Sequence, residues 1–85
     1  MHIGVLCLEC FMPTCHSLKE KRQLIRSLKD RLRNKFNVAV AETDYLDKWQ
    51  RAELGVVTVS GQRTHLDQML DEIERFTSAF PLMTV

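Results

Sequence analysis

The sequence has few of the residues that interrupt or cross-link a chain. Its 85 residues include three glycines and two prolines, too few for a disordered or low-complexity segment. Three cysteines, an odd number, do not make a disulfide framework and predict reduced thiols. No apolar run approaches the roughly 18 residues of a membrane span, and no signal peptide is recognisable. These absences favour one cytoplasmic domain over residues 1–85.

Net charge is also nearly absent, but the charges are unevenly distributed. The formal net charge is +1, yet residues 17–36 hold 8 of the 12 basic side chains and only 2 acidic ones. The rest of the chain has 4 basic and 9 acidic side chains. This separation suggests an anionic partner for the basic segment.

The N-terminal half predicts a strand and then a helix. Both parities of residues 2–11 are apolar, as expected of a central strand. Ser17 and Glu20 have the spacing of a capping box that begins a helix, and Asn37 is predicted to end it in a left-handed conformation. An apolar stripe about five turns long joins these ends. Its residues are Leu18, Ile25, Leu28, Leu32 and Phe36.

The C-terminal half predicts two strands, a second helix and a short last strand. The segments are strands over 38–45 and 51–60, a loop over 46–50, a helix over 62–79 and a final strand over 82–85. Gly55 marks a bulge or a close approach, and Ser60 is predicted to cap the second helix.

The order β-α-β-β-α-β predicts an α+β, ferredoxin-like sandwich. Its antiparallel sheet has strand order 4-1-3-2, with both helices on one face. The other face is open, although the first strand is apolar on both sides. We therefore expect a homodimer or another covering partner. In this topology the loop before the first helix and the loop between the second and third strands share one end of the molecule. The residues expected there are His16, Ser17, Lys19, Trp49, Gln50 and Arg51.

Three motifs in order along most of the chain resemble the bacterial YlxP family. They are Pro-x-x-His-Ser-Leu-Lys-x-Lys-Arg from Pro13, Arg-Leu-Arg-Asn-Lys-Phe-Asn-Val from Arg31, and Trp-Gln-Arg-Ala-x-Leu-Gly from Trp49. The resemblance implies a small ferredoxin-like domain of unknown function with no established catalytic residues. Genes of that family often sit among those for translation initiation and ribosome maturation, which implies an RNA- or ribosome-linked role. The chain departs from the family pattern at its three cysteines and in a shorter last strand.

The basic side chains of the first helix recur at three- and four-residue steps and so lie on one face. Lys19 and Lys21 lie in the first turns, where cations oppose the helix dipole, an arrangement that a bound phosphate would improve. The alternative is a solvated face balanced by the acidic second helix. Trp49 is either a stacking group for a base or, the reading we favour from sequence, a lid on the core.

The cysteines do not predict a metal or redox site. Cys7 and Cys10 are three residues apart on a strand and point to opposite faces, so both are expected to be buried small hydrophobes. Cys15 lies near a helix N-terminus, where a reactive thiolate is favoured. No set of catalytic residues is recognisable, and no cofactor is expected.

The sequence thus predicts a non-enzymatic binding protein, RNA- or ribosome-associated through its first helix. Ribosomal RNA or a ribosome-assembly intermediate is the expected partner. The predicted anion-binding residues are His16, Ser17, Lys19, Lys21, Arg22, Arg26, Lys29, Arg33, Trp49, Gln50 and Arg51. The alternative is a homodimeric protein-interaction or small-ligand regulatory module acting through the open sheet face.

Overall fold

The protein is described by a computed structural model over residues 1–81, 83 and 84. Its elements are β1 (His2–Phe11), α1 (Leu18–Lys35), β2 (Ala39–Asp44), β3 (Arg51–Ser60) and α2 (Arg63–Ser78). All five lie within two residues of their predicted bounds, and the α+β class is confirmed. Neither of the two described helices combines the length and the hydrophobicity that a membrane span requires.

The described strands form one antiparallel sheet in the order β1-β3-β2. The pairing of β1 with β3 runs from His2 opposite Ser60 to Phe11 opposite Arg51. This order agrees with the three corresponding strands of the predicted sheet. The predicted last strand falls partly on Leu82 and Val85, which lie outside the described residues. Thr84 forms an antiparallel bridge with Phe11, with N–O distances of 2.7 and 2.8 Å.

The two helices cover one face of this sheet. Leu8 of β1 and Leu54 of β3 share a core with Ile73 of α2 and with the predicted apolar stripe from Ile25 onwards, while Leu18 lies outside this core. The residues of opposite parity form the other face, which we call the open face. In β1 and β3 its residues are Ile3, Val5, Cys7, Glu9 and Phe11, and Arg51, Glu53, Gly55, Val57 and Val59. Cys10 is buried but Cys7 is exposed on the open face, so the expectation that both are buried was wrong for Cys7.

The predicted capping box begins α1. Ser17 Oγ accepts a hydrogen bond from the Glu20 amide at 3.1 Å, and Glu20 Oε2 accepts one from the His16 amide at 3.0 Å. The predicted left-handed stop at Asn37 was wrong, because α1 ends at an extended Phe36 with a φ of −126°. The left-handed residue is Tyr45, with a φ of 61°.

The start of α2 also differs from prediction. Its N-cap is Gln62, which makes no side-chain capping bond. Ser60 Oγ instead accepts a hydrogen bond from the Gln62 amide at 3.1 Å, in the turn before the helix. Ser60 therefore stabilises the strand-to-helix turn and is not the cap.

Gly55 is a close-approach site, and the bulge lies on the neighbouring strand. The register of β2 against β3 shifts between Glu42 and Asp44, which leaves Thr43 as the extra residue. A Cβ at Gly55 would lie 2.9 Å from the Thr43 methyl group. Thr43 Oγ1 donates to Glu53 Oε1 at 2.7 Å, so the bulge directs this hydroxyl onto β3.

Candidate functional site

The loops at 12–17 and 45–50 meet at one end of the molecule. The Met12 amide donates to the Gln50 carbonyl at 2.9 Å. The Gln50 side-chain amide donates to the carbonyls of Pro13 and Cys15, each at 3.2 Å. Gln50 therefore joins the two loops, and its side-chain donors are already engaged in doing so.

An open groove of about 670 Å³ lies between these loops and the adjacent end of the sheet. We call it the end groove. Its lining residues are Phe11, His16, Tyr45, Asp47, Lys48, Trp49, Gln50 and Arg51. Sequence reasoning brought four of them together, His16, Trp49, Gln50 and Arg51, but missed the two further aromatic residues.

Phe11 and Tyr45 were missed for different reasons. Phe11 is directly opposite Arg51 in the strand pairing, and strand parity alone could have placed these two side chains together on the open face. Tyr45 has a left-handed backbone at the end of β2, a conformation that its residue type does not favour. The predicted topology places the end of the second strand at this end of the molecule, but no sequence signal predicts the left-handed backbone of Tyr45.

Arg51 lies against both of these aromatic rings. Its guanidinium carbon is 4.1 Å from the Tyr45 ring centroid and 5.6 Å from that of Phe11. Nη2 donates to Glu9 Oε1 at 2.9 Å. The buried Nε has no hydrogen-bond partner among the described residues. The cation is thus held in one orientation with part of its hydrogen-bonding capacity unused.

Trp49 is not a lid on the core. Its side chain is 52% exposed, and it lines the end groove. The interpretation favoured from sequence was therefore wrong, and its indole ring is accessible to a ligand.

Helix α1 presents a row of basic side chains to solvent, which we call the basic stripe. It consists of Lys19, Arg22, Arg26, Lys29 and Arg33. Arg33 Nη2 donates to the Val40 carbonyl at 2.9 Å, and Nη1 lies 3.8 Å from Asp30. For the other four side chains, the described part of the protein provides no hydrogen bond or ion pair. The row is exposed except at Lys29, which is half-buried.

Lys21 does not belong to this exposed row. It is 1% exposed, its Nζ lies 2.7 Å from Glu42 Oε2, and the same nitrogen donates to the Tyr45 carbonyl. Lys21 is in helical phase with Ile25, Leu28 and Leu32, which follow it at 4, 7 and 11 residues. That spacing could have identified it from sequence. We leave Lys21 out of the proposed interface, since its charge is already paired.

The start of α1 is likewise already occupied. Ser17 Oγ accepts a hydrogen bond from the Glu20 amide, and the Glu20 carboxylate accepts one from the His16 amide. An anionic group of the protein is therefore present where a phosphate was expected. The His16 imidazole instead lines the end groove. A phosphate contact therefore fits the exposed stripe better than the helix start.

The thiols do not support reactive-cysteine chemistry. Cys15 is 5% exposed, and burial raises its pKa, with Glu20 raising it further and Lys21 opposing. The expectation of a reactive thiolate at Cys15 was therefore wrong, because its thiol is buried and keeps its proton. Burial also raises the pKa of Cys10, to about 11. Among the residues that the structure describes, no group of three or more His, Cys, Asp or Glu side chains could hold a metal ion.

Comparison with known proteins gives a match over nearly all of the chain. The model of a family described as Protein of unknown function (DUF503) matches residues 3–85. A relative from Bacillus subtilis (strain 168), named Uncharacterized protein YlxP, is 38% identical over 79 residues. The alignment covers 93% of this chain and 86% of the relative. The resemblance seen in the sequence motifs is thus confirmed.

Proposed function

Because this chain belongs to the YlxP family of proteins of unknown function (DUF503), we propose a function from its own surface. The protein is a non-enzymatic, cytoplasmic RNA-binding protein, and its partner is ribosomal RNA or a ribosome-assembly intermediate. The basic stripe makes the main contact. The observation that supports this best is that Lys19, Arg22 and Arg26 are exposed and their charges are unpaired within the described residues.

The stripe has the dimensions of a backbone-binding surface. From Lys19 to Arg33, it extends about 21 Å along the helix axis at 1.5 Å per residue. Arg31 and Lys35, on another side of α1, lie over the rings of Phe80 and Phe76 at 5.5 and 5.0 Å. Basic residues of α1 that pack on the protein are thus separate from those available to phosphates.

Exposed aromatic side chains favour RNA over a protein with an acidic surface. Phe11 and Trp49 are 43% and 52% exposed beside the helix start. The open face lacks aromatic side chains in β3, so it does not resemble the sheet surfaces on which RNA-recognition domains stack bases. Contact with RNA would therefore use the stripe and the end groove.

Salt dependence tests this proposal. Binding of a short single-stranded oligouridine should weaken with added salt, with a log–log slope of about −0.7 for each phosphate contacted. Arg22→Glu with Arg26→Glu should lower the affinity and make the slope shallower by about 1.4. Fluorescence anisotropy of labelled RNA gives both quantities.

The matched control is Arg63→Glu with Arg75→Glu on α2. It changes the net charge by the same amount at exposed positions of the other helix. We expect a much smaller loss of affinity, because these residues lie outside the stripe. Equal losses in the two double variants, or binding that does not depend on salt, would contradict the proposal.

A homodimer formed through the open face is the second candidate. Ile3 and Val5 pair across the strands with Val59 and Val57, and all four side chains are 43–62% exposed. Such a patch suits a second copy, because a two-fold axis brings identical apolar surfaces together. In this alternative the dimer is a protein-interaction or small-ligand regulatory module.

Sedimentation over a concentration series tests the dimer. Val5→Asp should leave a monomer, because it buries an unpaired carboxylate in the interface. Lys19→Asp introduces the same side chain on α1 and should leave the dimer intact. A wild-type monomer at all concentrations excludes this candidate.

The complete ferredoxin-like topology is also part of the proposal. The bridge between Phe11 and Thr84 lies at the edge of β1 where a fourth strand would pair. Its antiparallel direction is that of the predicted 4-1-3-2 order. Amide hydrogen exchange of the C-terminal residues in solution measures how far this pairing extends.

A further inference from the structure

The end groove contains the only tryptophan of the chain, at a position where it contributes little to the core. Trp49 is 52% exposed. Two other aromatic side chains, Phe11 and Tyr45, line the same groove. Tyr45 is half-buried, but Phe11 and Trp49 are exposed. Exposed aromatic rings in a concave site are typical of ligand contact, since burying them against the core would otherwise be favoured.

The loop that carries Trp49 is fixed on both sides. Buried Lys21 donates to the Tyr45 carbonyl, the Lys48 amide donates to the same carbonyl at 3.0 Å, and Asp44 Oδ1 accepts the Tyr45 amide at 2.7 Å. On the other side, Gln50 bonds to the 12–15 segment. The groove is thus formed before a ligand arrives, which lowers the entropic cost of binding.

The charge of the groove suits an uncharged aromatic ring better than a phosphate. Arg51 is neutralised by Glu9 at 2.9 Å, and Asp47 lies in the same lining as Lys48. Among the described residues, Lys48 is the one lysine or arginine of the lining without an ion pair, and the row of unpaired cations begins outside the groove, at Lys19. A nucleotide whose base lies in the groove would therefore have its phosphates nearest the basic stripe.

We propose that the end groove binds an unpaired nucleobase by stacking on Trp49, so that the protein recognises single-stranded rather than double-stranded RNA. This inference rests on the proposed function, because it assigns the backbone to the basic stripe. Bases in a duplex are stacked on one another, and only an unpaired base offers its face to the indole ring.

Tryptophan fluorescence tests the proposal directly, because Trp49 is the only tryptophan. Single-stranded oligouridine and oligoadenosine should quench its emission on saturation. A double-stranded RNA of the same length and inorganic polyphosphate should bind the stripe without comparable quenching. Saturated binding of single strands with unchanged emission would overturn the base site while leaving the proposed function in place.

Substitution provides the second measurement. Trp49→Ala should weaken single-strand binding by roughly 5- to 150-fold, the range for one stacked base, and leave duplex binding unchanged. Trp49→Phe should retain most of the affinity, since it keeps an aromatic face. Leu46→Ala is the control, because Leu46 is 61% exposed in the same loop but does not line the groove.

The remaining outcomes separate the two proposals. Equal loss of single- and double-strand binding in Trp49→Ala would mean a structural role for the loop and would overturn the base site. Quenching by free nucleoside monophosphates without any RNA binding would refute the proposed function, while supporting the binding of a nucleobase in the end groove. Absence of both quenching and RNA binding would refute both.

Discussion

The covered and open faces of the sheet have similar apolar side chains in different surroundings. In β1, Leu8 is 4% exposed under the helices, while Val5, three residues earlier, is 62% exposed. Cys10 and Cys7 differ in the same way, and so do Gly4 and Gly55, which face Leu66 and Thr43 respectively. Apolar composition therefore does not determine which face forms the core. The helices decide it, and matched substitutions on the two faces measure the difference.

The largest effect on stability is expected at the buried ion pair of Lys21 and Glu42, on the covered side of the sheet. Lys21→Ala would leave the Glu42 carboxylate, 12% exposed, without its partner. Breaking such a buried pair costs about 3–5 kcal/mol. Urea denaturation measures the free energy of unfolding.

Two further variants complete this test. Arg22→Ala on the exposed side of α1 should change stability by less than about 0.5 kcal/mol. Lys21→Met with Glu42→Leu should recover most of the loss, because it removes both charges and fills similar volume. A small effect of Lys21→Ala would show that water reaches this pair.

The next effect compares the two faces of β1 directly. Leu8→Ala should destabilise the protein by about 2–5 kcal/mol, through lost burial and a cavity. Val5→Ala at a protein concentration that favours the monomer should cost less than about 0.5 kcal/mol. Equal costs, measured by denaturation, would mean that the open face is covered even in the monomer.

The cysteines extend the comparison to pH. With its pKa raised to about 11, Cys10 keeps its proton in the folded state above the pH at which an unfolded thiol loses it. Its stabilising contribution is complete below about pH 8.5 and is lost as pH rises through about 11, by about 3 kcal/mol.

The free energy of unfolding, measured between about pH 8 and about pH 11, checks this expectation. Cys10→Ala should flatten the decline relative to the wild type, while Cys7→Ala on the open face removes no buried thiol and should leave it unchanged. Identical profiles for Cys10→Ala and the wild type would show that desolvation of Cys10 is slight.

The smallest expected difference in stability between the two faces is that between alanine substitutions at Gly4 and at Gly55. A Cβ at Gly4 would lie 2.8 Å from a methyl group of buried Leu66, so Gly4→Ala should cost about 1 kcal/mol by overpacking. At Gly55 the neighbour is the exposed Thr43, which can rotate away. Gly55→Ala should therefore be nearly neutral in thermal unfolding, since the lost Thr43–Glu53 bond is offset by a stiffer unfolded chain. A larger cost at Gly55 than at Gly4 would show that the bulge is rigid.

Much of the fold was predictable because its signals are local. The capping box at Ser17 and the strand bounds of β1 and β3 follow from neighbouring residues. The misplaced left-handed residue shows the limit of local reasoning. Asn37 favours that conformation by residue type, but Tyr45 adopts it where Lys21 and Asp44 hold its backbone groups.

The candidate site was predictable only in part, for the same reason. Topology brought His16, Trp49 and Gln50 together. The exposed indole and the paired state of Lys21 depend on distant partners. Lys21 and Glu42 are 21 residues apart in sequence yet 2.7 Å apart in space. Such contacts are absent from any sequence window.

The sequence by itself determined the elements, their order and the concentration of positive charge in α1, because periodicity, caps and charge spacing act over a few residues. Tertiary structure decided which apolar strand face is covered and which cations of α1 stay free. It also assembled the end groove from two loops and the sheet. These outcomes depend on which groups are removed from water together, and only the packed chain determines that.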